Sequence, residues 1–509
     1  MNPISATDYI CILPELVLAA FGIIVMMVDP LLPPQASRKG LGILSFVGTL
    51  AAVAAAFVQI GHSGSSGWFD MVRVNSFSIF FHILVPAISA ICILASLEYL
   101  DQQNIRSGEY YALILFGTIG MVLMSCAVEL VLIFIALEIS SISTYILAGY
   151  RRRVASGMES SLKYFLLGSF ATAFFLYGVA LMFGATGSTS ISEIAKAISA
   201  KLDSGESMVL VYTATALMLT GLGFKIASAP FHIWTPDVYE GAPAPVVALM
   251  STGPKAAAFA VLLRVLFGTG AVVASWQWLL WISAALSMTL GNFGALTQSN
   301  VKRMLAYSSI AHAGYLLVAF VAGREAGIAP AIFYTASYAA MNVGAFAVIS
   351  HFAGAGERFV SLDDYAGLGR RFPFLAFALT IFMLSLIGIP LTGGFFAKYY
   401  VFSAALNSNF IWLTIIGVVN SAVAAYYYLR LIVVMYMREP VTSEPCEPAS
   451  VTMRLALVLA IVFTIYLGVV PGRIMNFAQQ GALDLDSRQR SGVIVTGLPA
   501  TSDLATPAR

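Results

Sequence analysis

Eight ionisable side chains sit inside stretches of sequence that are otherwise apolar: Glu15, Glu138, Lys225, Lys255, Lys398, His82, His232 and His312. A charge at the centre of a bilayer costs about 2.5–3.5 kcal/mol on insertion scales, so a chain that keeps several there keeps them for function. Carboxylates, amines and imidazoles exchange protons, and the chemistry they suggest is proton movement. Glu138 stands near the middle of Ala136-Leu-Glu-Ile-Ser-Ser141, where a carboxylate is costly unless paired. Lys225 stands just before Pro230, whose ring removes a backbone donor and frees carbonyls that can solvate an ammonium. A Glu138–Lys225 ion pair would offset both costs. Because an amine's hold on its proton depends on burial and on its counter-charge, a pair that opens and closes would switch the lysine between keeping and releasing a proton.

Two further lysines are candidate relay stations. Lys255 follows Gly253-Pro254 and Lys398 follows Gly393-Gly394. His312 shares a helix face with Ser308, Ser309 and Tyr315, at spacings of three and four, and so can carry a proton along a polar stripe. His232 lies beside the Pro230 break. Tyr334, Ser337, Tyr338 and Asn342 extend the polar face, and a water wire needs such partners. Glu15, next to Pro14 at the end of the first apolar stretch, and the isolated His82 are read as structural. Cys11, Cys92, Cys126 and Cys446 stand alone without a CxxC pair, so no cluster, zinc site or disulfide framework is expected.

The elements that must hold these groups are transmembrane helices. The 509 residues are 59% hydrophobic and 10% charged, against roughly a quarter charged in ordinary soluble domains. Fourteen spans are predicted, at about 9–28, 41–61, 77–99, 110–127, 128–150, 161–185, 208–230, 244–268, 271–297, 304–323, 328–354, 372–406, 410–437 and 453–471. Each can cross a hydrocarbon core of about 30 Å at 1.5 Å per residue. Residues 191–202 place apolar side chains opposite Glu193, Lys196 and Lys201, which predicts a helix lying on the membrane surface. The first span has no basic leader and no small-residue cleavage motif, so it is read as part of the mature protein. A net charge of +2 without a basic aromatic tract argues against nucleic acid.

Lysines and arginines near span ends set orientation. Arg151-Arg152-Arg153 leads, with Arg38, Lys39, Lys302, Arg303, Arg370, Arg371 and Arg438 at the ends of alternate connections. Those loops are expected on the cytoplasmic side and both termini on the outer side. The seventh span is interrupted at Pro230, and the stretch 372–406, too long for one crossing, carries Gly388-Ile-Pro-Leu-Thr-Gly-Gly394. Broken helices in corresponding positions of two halves point to inverted repeats with the site at the breaks. The expected organisation is a three-helix segment (1–109), two five-helix repeats (110–268 and 269–437), a final helix (438–481) and a polar tail (482–509). Ser140-Ser141-Ile142 in span five echoes Ser308-Ser309-Ile310 in span ten, each the second helix of its repeat.

The run Phe224-Lys-Ile-Ala-Ser-Ala-Pro-Phe-His-Ile-Trp-Thr-Pro-Asp-Val-Tyr-Glu-Gly-Ala-Pro243, with Asn300-Val-Lys-Arg-Met-Leu-Ala-Tyr-Ser-Ser-Ile-Ala-His-Ala-Gly-Tyr315, resembles the antiporter-like membrane subunits of respiratory complex I. The resemblance extends over nearly the whole chain. Within that family, the opening Leu13-Pro-Glu-Leu16 and the fourteen spans are most similar to the N-type subunits of NADH-quinone oxidoreductase. The resemblance implies that Glu138, Lys225, Lys255 and Lys398 line a proton channel in a bacterial inner membrane. It also implies that electron transfer from NADH to quinone occurs elsewhere in the complex. Flavin (FMN) and iron–sulfur centres would then belong to other subunits, this chain would carry no cofactor, and its partners would be the other membrane-arm subunits and lipid. A subunit of a multi-subunit cation/proton antiporter would use the same helices and lysines, and the residues alone separate the two readings poorly. A stand-alone solute transporter fits a lysine-rich interior less well. A haem-bearing redox enzyme would want paired histidines on facing helices, and the five here are scattered.

Overall fold

A computed structural model describes residues 5–268, 273–440 and 448–485; Cys446, the start of span nine and most of the polar tail fall outside them. Among the described residues thirteen helices are long and apolar enough to cross a membrane. A further crossing is made in two pieces, Pro373–Ile387 and Gly393–Asn407, giving fourteen in all. Each lies within a few residues of its predicted position. The periodicity that would mark one wet face is weak because most spans are apolar all round: their partners are other spans and lipid. Span eleven, Arg324–Phe352, is enclosed by protein from Gly327 onward, while span one, Leu13–Leu31, is largely bare.

Three breaks shape the interior. Span seven, Val209–Ile226, ends at Ala227 in the left-handed conformation (φ 59°), and the chain runs irregularly through a cis Ala229–Pro230 bond to the short helix Trp234–Gly241. Span twelve stops at Gly388 (φ 95°), whose N–H bonds back to Leu384 and Ser385, and restarts at Gly393. Glycine suits both ends of that break. It has no Cβ to resist a positive φ at position 388, and a Cβ on Gly394 would stand 1.8 Å from the Ser385 carbonyl oxygen. Span eight, predicted as one helix, is two: Ala244–Met250 and Gly253–Gly268. Pro254 explains the restart, since a proline is tolerated in the first turn of a helix and not inside one.

The connections repeat on opposite sides. Just before span five (Leu130–Ala148), Glu129 bridges Ser190 ahead of the surface helix Ile191–Ser204, and its carboxylate caps the span. Just before span ten (Val301–Val321), Asn300 bridges Ser361 in the connection between spans eleven and twelve, and its side chain caps that span. The surface helix buries Ile191, Ile194, Ala195 and Ile198, as its pattern predicts. A second surface helix, Pro471–Leu485, is not foreseen by the sequence, which predicts a final span at about 453–471 and a polar tail from 482; the span ends at Val469. Ser76 N–H donates to Asp484 at 2.8 Å, and Phe477 packs 6.1 Å from Phe80, which seats this helix on span three, Ser76–Gln102.

The basic residues used to orient the chain are mostly neutralised. Arg38 pairs with Asp29, Arg303 with Asp237 and Glu240, and Arg438 with Asp363. Arg151 and Lys302 are buried on one carboxylate: Glu357 accepts from Lys302 at 2.7 Å, Arg151 lies at 2.8 Å, Tyr99 donates at 2.8 Å and the Ala244 N–H at 2.7 Å. Glu357 therefore ties together spans three, eight and ten and the loop after span five, from a backbone held at φ 52°. Burial alone would raise its pKa, but Lys302 and Arg151 outweigh burial and hold it below the ordinary carboxylate range. A depressed folded-state pKa contributes stability above the unfolded value of about 4.3 and loses it as pH falls toward the folded one. Thermal unfolding of the full chain in detergent should show Glu357→Gln destabilised by about 3–5 kcal/mol at neutral pH, because two buried cations lose their partner. The gap to the parent should close on acidification below about pH 4.3. A gap independent of pH would contradict the ionised triad.

Candidate functional site

The buried lysines sit at the breaks and are solvated by hydroxyls and carbonyls. Lys225, 4% exposed, donates to Ser141 Oγ at 2.9 Å and to Tyr164 OH at 3.4 Å, with its ammonium 5.8 and 5.6 Å from the rings of Tyr145 and Tyr164. Lys255, 3% exposed, begins the second half of span eight and donates to Ser309 Oγ at 2.5 Å and to the Ser309 carbonyl at 3.1 Å. Lys398, 6% exposed, turns back into the break of span twelve instead of reaching for the surface. It donates to the carbonyls of Leu386 (3.0 Å) and Ile387 (2.8 Å) and to Ser421 Oγ (2.7 Å). No carboxylate is among these partners, so each ammonium rests on partial charges alone.

The expected Glu138–Lys225 ion pair is not made. Glu138 lies one turn before Ser141 on span five, with Oε1 buried and without a hydrogen-bond partner, and Lys225 engages the serine. The Ser-Ser-Ile echo has a structural counterpart here: Ser141 of span five takes Lys225, and Ser309 of span ten takes Lys255.

Between Lys255 and Lys398 the predicted polar stripe is assembled. Tyr338 donates to Ser309 Oγ at 2.7 Å. Ser308 and Tyr428 share a short hydrogen bond, and Tyr428 OH lies 3.4 Å from His312 Nε2. His312 Nδ1 lies 2.8 Å from Tyr334 OH. Its ring stands 5.2 Å from Tyr338 and 5.5 Å from Tyr315, and Lys398 sits 4.9 Å above the Tyr315 ring. Asn342 bonds Ser251 at 2.7 Å, at the kink of span eight. His232, by contrast, lies in the irregular turn after Pro230, outside this line, and its Nδ1 has no partner.

Two contributors were missed from sequence. Tyr239, on the short helix after the break, packs against Trp234, which stacks on Tyr164 at 4.7 Å. Its hydroxyl, fully buried, lies beside Ser309, Tyr164 and Tyr338, between the Lys225 and Lys255 groups. A tyrosine in an apolar run reads as packing, and nothing in its spacing distinguishes it. The other is a cavity of about 430 Å³ on the arginine-bearing side, lined by Ser160, Lys163, Asp237, Glu240, Asn300 and Arg303 among others. Ser160 is one helical turn from Tyr164, the Lys225 partner. Lys163 pairs there with Asp237 at 2.7 Å. Glu15 and His82, read from sequence as separate, converge with Cys126 on the opposite side.

Residues 127–424 match the NADH:quinone oxidoreductase/Mrp antiporter transmembrane family. The chain is 63% identical over 488 residues to NADH-quinone oxidoreductase subunit N 2 of Koribacter versatilis, a match that covers 95% of this chain and 98% of the relative. A chain of respiratory complex I from Thermus thermophilus, solved with bound aureothin, superposes with a TM-score of 0.77 at 37% identity and covers 92% of this chain and 99% of its own. A chain of the Mrp complex from Dietzia sp. DQ12-45-1b superposes with a TM-score of 0.80 over 92% of this chain and 97% of its own, and at 21% identity it shows the shared fold alone. With breaks, lysines and helices in this arrangement and relatives matching end to end, the chain belongs to the NADH:quinone oxidoreductase/Mrp antiporter transmembrane family, among its N-type subunits.

Proposed function

We propose that this chain translocates protons as the N-type membrane-arm subunit of a bacterial NADH-quinone oxidoreductase, in company with other membrane-arm subunits. The observation that carries the reading is three buried lysines without carboxylate partners on one line of hydroxyl and imidazole groups. An ammonium held only by dipoles is poised to lose its proton when a neighbouring charge changes, which a lysine locked in an ion pair is not. The high identity to subunit N favours the oxidoreductase over a cation/proton antiporter, since the Mrp likeness rests on fold alone.

In this reading protons enter from the side of the Lys163–Asp237 cavity, taken as cytoplasmic, and reach Lys225 along the Ser160–Tyr164 face. Glu138 is the control. Quinone reduction elsewhere in the complex brings its carboxylate and Lys225 together or apart, with Ser141 as the alternative partner of the amine. The proton then passes by Tyr239 to Lys255 and through Ser309, Tyr338 and His312 to Lys398, from which it leaves on the other side. Buried unpartnered oxygens on Ser140, Thr235, Ser337 and Asn342 support a water chain, because such atoms in folded proteins are satisfied by ordered water. Moving one charge against 100 mV costs about 2.3 kcal/mol, equivalent to a change of roughly 1.7 units in a lysine's proton affinity. The matching bridges before spans five and ten, and the breaks in spans seven and twelve, support two inverted five-helix repeats at 110–268 and 269–437. His232 stands beside the uptake route as a side branch. FMN and iron–sulfur clusters are assigned to other subunits.

In the intact complex reconstituted in vesicles, Lys225→Ala and Glu138→Gln should each depress proton pumping per NADH oxidised; unchanged pumping in both removes the pair from the mechanism. Lys255→Ala should interrupt the line at its centre and lower the protons moved per electron pair. Tyr239→Phe should cost no more than about 1 kcal/mol of thermal stability, the net contribution of a single hydrogen bond, since it keeps the ring and removes only the hydroxyl beside Ser309. It should nevertheless slow pumping about tenfold, the effect of roughly 1.4 kcal/mol on a barrier. Parental pumping by Tyr239→Phe would take the Lys225-to-Lys255 transfer away from this residue.

A further inference from the structure

On the side opposite the arginines, three helix ends bring together Glu15 of span one, His82 of span three and Cys126 at the end of span four (Glu109–Cys126). One ligand-capable atom from each lies within 4.8 Å of the others, and all three residues are buried. Glu15 Oε1 is 3.5 Å from Cys126 Sγ and 4.0 Å from His82 Nε2.

The hydrogen bonds behind His82 fix which nitrogen faces the cluster. Gln59 Nε2 donates to the carbonyls of Ile10 (2.9 Å) and Cys11 (3.1 Å), so its Oε1 is an acceptor. That oxygen lies 2.7 Å from His82 Nδ1, which must therefore carry the proton. In the neutral ring Nε2 then presents a lone pair to the Glu15 carboxylate, and neither His82 Nε2 nor Glu15 Oε2 has a hydrogen-bond partner. Two lone-pair groups turned toward each other in a buried site are relieved by a shared proton or by a metal ion between them. An imidazole whose other nitrogen is anchored to an oxygen is the arrangement by which proteins orient histidine metal ligands.

We propose that Glu15, His82 and Cys126 form a binding site for a divalent transition-metal ion of the zinc type. Carboxylate, imidazole and thiolate are the donors such an ion takes, at about 2.0–2.3 Å. In a tetrahedron with those bond lengths the donors stand roughly 3.3–3.7 Å apart, so shifts under about 1 Å close the site. The second carboxylate oxygen or a water completes the coordination. Binding displaces the Cys126 thiol proton, and thiolate plus carboxylate balance the ion's two charges. That balance matters because Arg264 packs alongside: its Nε donates to the Ser125 carbonyl at 2.8 Å, with the guanidinium 4.9 Å above Phe77. No spacing motif reveals the site, since its ligands are 67 and 44 residues apart along the chain.

The test uses the full chain in nanodiscs, where no other subunit contributes colour, with Co²⁺ or Zn²⁺ alone as probe. Co²⁺ is supplied both during expression and by titration after purification. The expected result is one Co²⁺ per chain with a thiolate-to-cobalt charge-transfer band and the visible bands of a four-coordinate ion, bleached by Zn²⁺. Cys126→Ser should abolish the charge-transfer band, Glu15→Gln and His82→Gln should each weaken binding by at least about tenfold, and Cys11→Ser should keep the band. Absence of the band in the parent by both routes, its survival in Cys126→Ser, or its loss in Cys11→Ser overturns the proposal. A complex at the half-buried His62 without the charge-transfer band counts as absence.

Discussion

An ammonium in a protein surrounded by lipid must find solvation from the protein itself, and the arrangement of this chain follows from meeting that need three times without a carboxylate. Serine hydroxyls serve Lys225 and Lys255, and freed carbonyls serve Lys398. The carbonyls of Leu386 and Ile387 are free because the helix stops at Gly388, which is why Lys398 turns back to that break. The cost of an interrupted helix in a bilayer is bearable only where the exposed backbone is enclosed by protein, and span eleven, enclosed from Gly327 to Phe352, supplies much of that wall.

Glu138 and Glu357 show two uses of a buried acid. Glu357 is saturated by Lys302, Arg151, Tyr99 and a backbone N–H, and it holds elements together at the membrane edge. Glu138 keeps an oxygen without a partner, one turn from a serine that occupies the nearest amine. A saturated acid fastens structure; an unsatisfied one can respond to its surroundings.

Much of this was legible in the sequence, because length and apolarity fix spans and because glycine and proline mark where helices cannot continue. The Pro230 and Gly388–Gly394 breaks, the surface helix at 191–204 and the His312 stripe all come from such local rules. What local rules cannot give is which side chain a lysine chooses. Glu138 and Ser141 lie on one face of the same helix, and only the packing of spans five and seven decides that Lys225 meets the serine. The kink in span eight had its signal in Pro254, masked by the apolar run around it. Tyr239 and the Glu15–His82–Cys126 cluster depend on contacts between distant segments, and they carry no periodic signature.

The Glu357 triad bears on how the arginine-bearing edge meets lipid. Arg151 and Lys302 spend their charge internally, whereas Arg152 and Arg153 remain exposed. Attraction to anionic headgroups amounts to about 1 kcal/mol for each basic residue near the surface, so the pull at this loop comes from two guanidiniums, and recruitment of acidic phospholipid here is correspondingly modest.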